Sequence, residues 1–220
     1  MSLLVAPVFD DITKYSLVWA NEIEDWLSNP TVLKGRPITR SEVEQHLKGK
    51  TLYIHYGHGS ENALWGSHTE AVVDLKNVKL LPKEVYTMSC LTAKRLGVAA
   101  WRNGSTYYGY YESFSFTEDS LKEFQEFANC GMKFHLSGES WKEVTRLAKE
   151  LGSKLAETLI SSGRYIASIC MRQNVQALRC YNSEAPTESD CFFRRIALKL
   201  FGAKGWSLFT KREPREKEVK

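Results

Sequence analysis

Residues 51–56, TLYIHY, constrain the fold more than any other stretch of the chain. The run is too short for a helix of ordinary length. It also lacks the polar alternation of a strand with one wet face, so it reads as a strand covered on both sides. Strands of this kind belong to mostly parallel sheets flanked by helices. Residues 3–9, LLVAPVF, read as a second short buried strand, and EVYTMS at 84–89 and STYYGYY at 105–111 as two more. Residues 70–81, AVVDL followed by VKLL, suggest a strand or hairpin.

Helical patterns fill the intervals. Ile12, Tyr15, Trp19, Ile23 and Trp26 recur at helical spacing, with Asp10 or Asp11 as the cap and Pro30 as the close. Ser41 and Glu44 form a capping-box pattern before a short helix ending near Leu47. Residues 92–104 read as a helix that follows Cys90 directly, with Gly104 as its stop. A further helix opens at Thr117, turns Leu121, Phe124 and Phe127 inward, and is expected to end at Gly131. Ser140 and Glu143 cap a long one carrying Trp141, Val144, Leu147, Leu151, Leu155 and Leu159, stopped by Gly163. Residues 165–181 fit helix and strand equally; 188–201 read as helix and 206–209 as a short strand. Strands alternating with helices give βαβ units, hence an α/β domain with a helical C-terminal elaboration. One domain is expected over residues 1–210, followed by a basic, polar tail at 211–220.

Charge and cysteine content exclude several functions. From Arg194 onward there are nine Lys or Arg and three Glu, whereas residues 1–193 carry 21 basic and 23 acidic side chains. The body is therefore near neutral, and the tail has no aromatic residue on which a base could stack, so no nucleic-acid partner is expected. No apolar run approaches the ~18 residues of a membrane span. The start, MSLLVAPVFDD, lacks the basic region of a signal peptide. Cys90, Cys130, Cys170, Cys180 and Cys191 are odd in number and contain no CxxC, which argues against a zinc ribbon, a redox pair and a disulfide framework. Reduced thiols in the cytoplasm are expected.

In open α/β sheets, ligands bind beyond the carboxyl ends of the strands. His58, between Gly57 and Gly59, follows the strand 51–56, and Cys90 follows the strand 84–89. Parallel neighbours would bring the two side by side. Read alone, a cysteine at a strand end is a small core residue and a histidine in a turn is structural. Together they make a thiol nucleophile and an imidazole that can take its proton and later protonate a leaving amine. The N–H groups of Gly59 and Cys90 are expected to face a developing oxyanion. A zinc site from His55, His58, His68 and Cys90 is the weaker alternative, because the spacing is irregular and no carboxylate pairs with them. Cys130, Cys170, Cys180 and Cys191 read as core or inert, His46 and His135 as surface, and Tyr107, Tyr108, Tyr110 and Tyr111 as a packed strand.

The succession LYIHYGHGSENALWG, VDLKNVKLLPKEVYTMSCLTAKRLG and GSTYYGYYESFSF resembles the caspase, gingipain and clostripain clan of cysteine peptidases, including caspase-like CHAT domains. In order of elements the resemblance covers about residues 1–130, and it is sharpest over 51–116. It implies a caspase-like three-layer α/β sandwich around a mostly parallel sheet. It also implies a cysteine endopeptidase acting through a thioacyl-enzyme, with Cys90 as nucleophile and His58, which precedes Gly59, as acid–base group. No cofactor or metal is needed for that chemistry. The partner is a protein or peptide substrate, with a regulatory protein partner admitted and no membrane. By the same resemblance the substrate pocket draws on Phe9, Asp10 and Asp11 and on Tyr110, Tyr111 and Glu112. These positions offer carboxylates and no cation, so cleavage after Arg or Lys is expected. Against this, Asp10 or Asp11 serves equally well as a helix cap and Glu112 as a solvated charge. The alternative to an enzyme is a catalytically silent module of the same fold that binds or regulates within a larger assembly.

Overall fold

The structure, a computed structural model, describes residues 1–182. The chain begins with β1 (Ser2–Ala6), α1 (Asp11–Trp26), β2 (Thr31–Lys34), α2 (Arg40–Leu47) and β3 (Leu52–Tyr56). Three short strands follow, β4 (Gly59–Ser60), β5 (Ala63–Trp65) and β6 (Ala71–Asp74). Then come β7 (Glu84–Met88), α3 (Leu96–Arg102), β8 (Thr106–Tyr110), α4 (Leu121–Leu136), α5 (Trp141–Ser161), α6 (Tyr165–Ala177) and β9 (Leu178–Tyr181). The main sheet runs β2-β1-β3-β7-β8-β9, and every pair is parallel except β8 with β9. Strands β4, β5 and β6 form a small antiparallel sheet of their own.

Side chains that alternate along the strands feed two cores. Leu4, Ile54, Tyr86 and Tyr108 pack toward one face with Trp19 and Ile23 of α1, Phe124 and Phe127 of α4 and Leu155 and Leu159 of α5. Leu3, Val5, Tyr53, Val85 and Tyr107 pack toward the other with Val43 of α2 and Leu96 and Ala100 of α3. All five residues of β3 are buried, as its apolar run requires. The fold is thus α/β with helices on both faces of a mostly parallel sheet, compatible with a three-layer sandwich. Among the described residues, no helix is long and apolar enough to cross a membrane.

Several local expectations need correction. The capping box of α2 is formed by Thr39 and Glu42, not Ser41 and Glu44. The Ile38 N–H is held by the Gly66 carbonyl at 2.9 Å, so Thr39 is the first residue free to open the helix. Gly131 does not end α4. It lies mid-helix, where an added Cβ would come within 2.7 Å of the Tyr108 hydroxyl, so glycine serves close packing there. In the segment 70–81 only Ala71–Asp74 is a strand, and Val78–Leu80 is one 3₁₀ turn. Residues 165–181 are both helix and strand: α6 passes directly into β9, which completes the sheet beside β8. His135 is no plain surface residue, since its ring stacks on Trp141 at 4.2 Å and its Nε2 lies 3.4 Å from Glu84. Cys191, the helix expected at 188–201, the strand at 206–209, the domain limit at 210 and the tail 211–220 lie outside the described residues.

Candidate functional site

Strands β1, β3 and β7 are consecutive neighbours in the sheet and all parallel. Their carboxyl ends therefore open on one edge, and the loops that leave them carry Asp10, His58 and Cys90. Tyr56 pairs with Met88, so His58 and Cys90 each lie two residues past the last paired position of their strands. The Gly57 N–H still reaches the Met88 carbonyl at 3.3 Å, which extends the match toward them. Gly59 seats the two loops on one another. A Cβ at this position would stand 2.5 Å from Thr92 Cγ2, 2.7 Å from the Cys90 carbonyl oxygen and 2.9 Å from Ser89 Cβ. The bare backbone is what lets the His58 loop lie against the Cys90 turn.

Asp10 is the N-cap of α1 and also a partner of His58. Its Oδ1 accepts the Thr13 N–H at 2.8 Å, while Oδ2 lies 2.7 Å from His58 Nε2. Burial by itself would raise the Asp10 carboxyl. The Thr13 backbone N–H, the Thr13 hydroxyl and the His58 ring outweigh it and hold the group below its ordinary value of 3.8. An ionised carboxylate only accepts, so Nε2 of His58 is the donor in this contact. The Phe9 ring packs against His58 at 5.5 Å, and the Phe9 carbonyl accepts a hydrogen bond from His68 Nε2 at 2.8 Å.

Cys90 is half-buried and reduced. Burial pushes its thiol up, opposed by the Phe114 backbone N–H, which donates to Sγ at 3.3 Å. Among the described residues, no hydrogen bond joins the thiol to the His58 ring. The helix expected right after Cys90 starts only at Leu96, behind a turn. The backbone of that turn is committed elsewhere, because the Leu91 N–H bonds the Glu112 carbonyl at 3.2 Å and the Ala93 N–H that of Tyr110 at 3.0 Å. Leu91 adopts the left-handed region, φ 64°, which costs a branched residue energy and marks a turn fixed by its surroundings. Thiolate formation at Cys90 thus draws on the Phe114 N–H and not on a helix terminus.

His55 is fully buried within β3 and bonds Ser89 Oγ through Nδ1 at 2.9 Å. Burial lowers it to about 3, with a backbone contact to Trp65 opposing, so it stays neutral. Of the pocket residues expected from sequence, Tyr110 is buried in the core, and Asp11 is exposed and pairs with Lys14 at 2.7 Å. Glu112 is 61% exposed and lies 3.6 Å from Lys94, which also faces Glu61 at 3.5 Å. With Asp10 on His58, the three carboxylates are engaged separately and do not form one acidic pocket. A cleft of about 560 Å3 is lined by Tyr111, Glu112, Ser113, Gln173, Gln176 and Arg179, among others, next to the loop that holds Cys90. A larger one of about 660 Å3, lined by Glu22 and Trp26 of α1 and Gln125 and Asn129 of α4, includes neither His58 nor Cys90. Among the described residues, no group of three or more His, Cys, Asp and Glu is placed to hold a metal ion.

The Asp10–His58 contact is the feature that sequence reasoning missed. Its signal was present: Asp10 follows β1 as His58 follows β3, and adjacent parallel strands bring such positions together. No family model and no curated protein matches the chain. Among solved structures, a D-2-hydroxyisocaproate dehydrogenase is similar over 76% of this chain and 41% of its own length, at 14% identity and a TM-score of 0.31, too low to carry an argument.

Proposed function

We propose that the protein is a cysteine peptidase that uses Cys90 as nucleophile, His58 as acid–base group and Asp10 to orient the histidine. The observation that carries this reading is the 2.7 Å contact between Asp10 Oδ2 and His58 Nε2, on a loop seated by Gly59 against Cys90. His58 Nδ1 takes the thiol proton as Sγ attacks the substrate carbonyl carbon. The carbon–nitrogen bond then breaks as the same proton passes to the leaving amine. Water hydrolyses the thioester with His58 as base, which releases a carboxylic acid and restores the thiol. A thiol–imidazole hydrogen bond missing from a substrate-free site is compatible with this course, because such contacts tighten when substrate binds. Peptide-bond cleavage as the reaction rests on the resemblance to the caspase-like clan. Preference for Arg or Lys gains no support from carboxylates that are engaged separately, and none is proposed.

One observation favours the second reading, a silent binding module: the Cys90 thiol is pushed up by burial and held at Phe114. A peptide-library digest with wild type, Cys90→Ala and His58→Ala separates the two. Cleavage by wild type that falls by roughly 1000-fold in either variant, without additive loss in the double variant, supports the peptidase. No thiol-sensitive cleavage by the folded wild type would leave the binding module.

A further inference from the structure

The surface over α3 gathers cations beside exposed leucines. Arg95, Val98, Ala99 and Arg102 follow one another at the spacing of a single helical face. With Leu75 and Lys94 they line a groove of about 360 Å3. The 3₁₀ turn Val78–Leu80 packs on α3, and its segment adds exposed Lys76, Lys79 and Leu80. Leu75 is 40% and Leu80 45% exposed. The carboxylates at hand are already engaged: Asp74 bonds Arg40, and Glu61 and Glu112 face Lys94. Among the described residues, Lys76, Lys79, Arg95 and Arg102 make no ion pair. Since residues 1–193 hold 21 basic and 23 acidic side chains, this excess is local and not a reflection of overall charge.

We propose that this groove docks an acidic amphipathic segment of a partner protein. Its apolar residues rest on Leu75, Leu80 and Val98, and its carboxylates meet Lys76, Lys79, Arg95 and Arg102. Charge complementarity fixes the sign of the partner, and the exposed leucines fix its amphipathic character. They also favour protein over a single strand of nucleic acid, whose bases stack on open aromatic rings. The one aromatic side chain on α3, Trp101, is half-buried and donates its indole N–H to the Asn182 carbonyl at 3.2 Å.

The test is direct binding to the full chain by fluorescence anisotropy. The probe is a labelled peptide of about 14 residues with leucines at helical spacing and Asp or Glu elsewhere. A scrambled peptide of the same composition and an oligothymidylate of similar charge serve as comparisons. The amphipathic peptide is expected to bind saturably and roughly tenfold or more tightly than the scrambled one, and to weaken as salt rises. Arg95→Glu with Arg102→Glu, and separately Leu75→Ser with Leu80→Ser, should each weaken it by roughly tenfold while circular dichroism melts stay unchanged. Should the charge reversal unfold the protein, Lys76→Gln with Lys79→Gln tests the other two cations of the same surface. Absence of saturable binding, equal binding of the scrambled peptide, tighter binding of the oligonucleotide, or indifference to the substitutions would overturn the proposal. Binding is read without turnover, so the result is independent of whether Cys90 is a nucleophile.

Discussion

The two oxygens of Asp10 serve different ends, one capping α1 and one facing His58, and substitution can separate them. Asparagine caps helices about as well as aspartate but carries no charge. Asp10→Asn should therefore stay within about 0.5 kcal/mol of wild type in a urea melt. Under the proposed mechanism its kcat for peptide cleavage should fall by roughly 100-fold or more, with KM little changed. Asp10→Ala should lose about 1 kcal/mol of stability as well. Full turnover by a folded Asp10→Asn protein would remove Asp10 from the mechanism. His55 gives a separate acid signature. Its folded value of about 3 lies below the ordinary 6.5, so between those values the unfolded chain binds a proton that the folded protein refuses. Stability is then lost as pH falls through this window, by about 2 kcal/mol from pH 6.5 to 5. Asp10, whose carboxyl is lowered, acts in the same sense in a lower window: its contribution is present above 3.8 and disappears only as pH falls below that. Urea melts from pH 7 to 5 should show a steeper loss for wild type than for a folded His55→Gln variant. Parallel curves would mean that His55 is not the group responsible.

At the scale of elements, legibility followed how much each segment depends on its own residues. β3, β7 and β8 were readable because a strand buried on both faces writes its environment into an apolar run. α5 was readable from its helical repeat and from Ser140, which accepts the Glu143 N–H at 3.3 Å. β9 was only half readable, since no glycine or proline separates it from α6 and its strand character comes from pairing with β8. The start of α3 lies later than its sequence suggests because Leu91 and Ala93 give their N–H groups to the Glu112 and Tyr110 carbonyls at and just past the end of β8, a tertiary choice without a local signature. The short strand β4 matters most for the site, since it brings Gly59 onto the Cys90 turn. Two of the three nearest obstacles to a Cβ there, the Cys90 carbonyl and Ser89 Cβ, belong to a fixed turn and cannot swing away. Gly59→Ala should thus cost roughly 1–3 kcal/mol through overpacking. It should also depress cleavage beyond what the stability loss explains. An alanine variant with wild-type melting and turnover would show that the two loops have slack between them.

Over the whole molecule, the candidate site was legible as topology before it was legible as chemistry. Parallel neighbours at β1, β3 and β7 dictate that the loops after them share an edge, and the identities of His58 and Cys90 could be read from there. The electrostatic setting of each thiol could not be, because it depends on what the rest of the fold lays over it. A sequence that places Cys90 directly at a helix N-terminus leads one to expect it to alkylate first among the cysteines. The fold replaces that expectation with an ordering by how far desolvation pushes each thiol up. Cys130, inside α4 against the sheet, and Cys180, on β9, are both pushed up to about 12, which leaves roughly one thiol in ten thousand ionised at pH 8. Cys90 and Cys170 are raised less, although Cys180 is half-buried by exposed surface as they are. In native protein, brief iodoacetamide treatment at pH 8 followed by peptide mass spectrometry should label Cys90 and Cys170 well ahead of Cys130 and Cys180. Denaturation should bring all four to similar rates, because thiolate fraction and access set the native differences. Peptide substrate at saturating concentration should then protect Cys90 and leave Cys170 unchanged, since only the first lies on the edge shared with His58. Early labelling of Cys130 or Cys180 in the native state would contradict the raised thiols at those two positions.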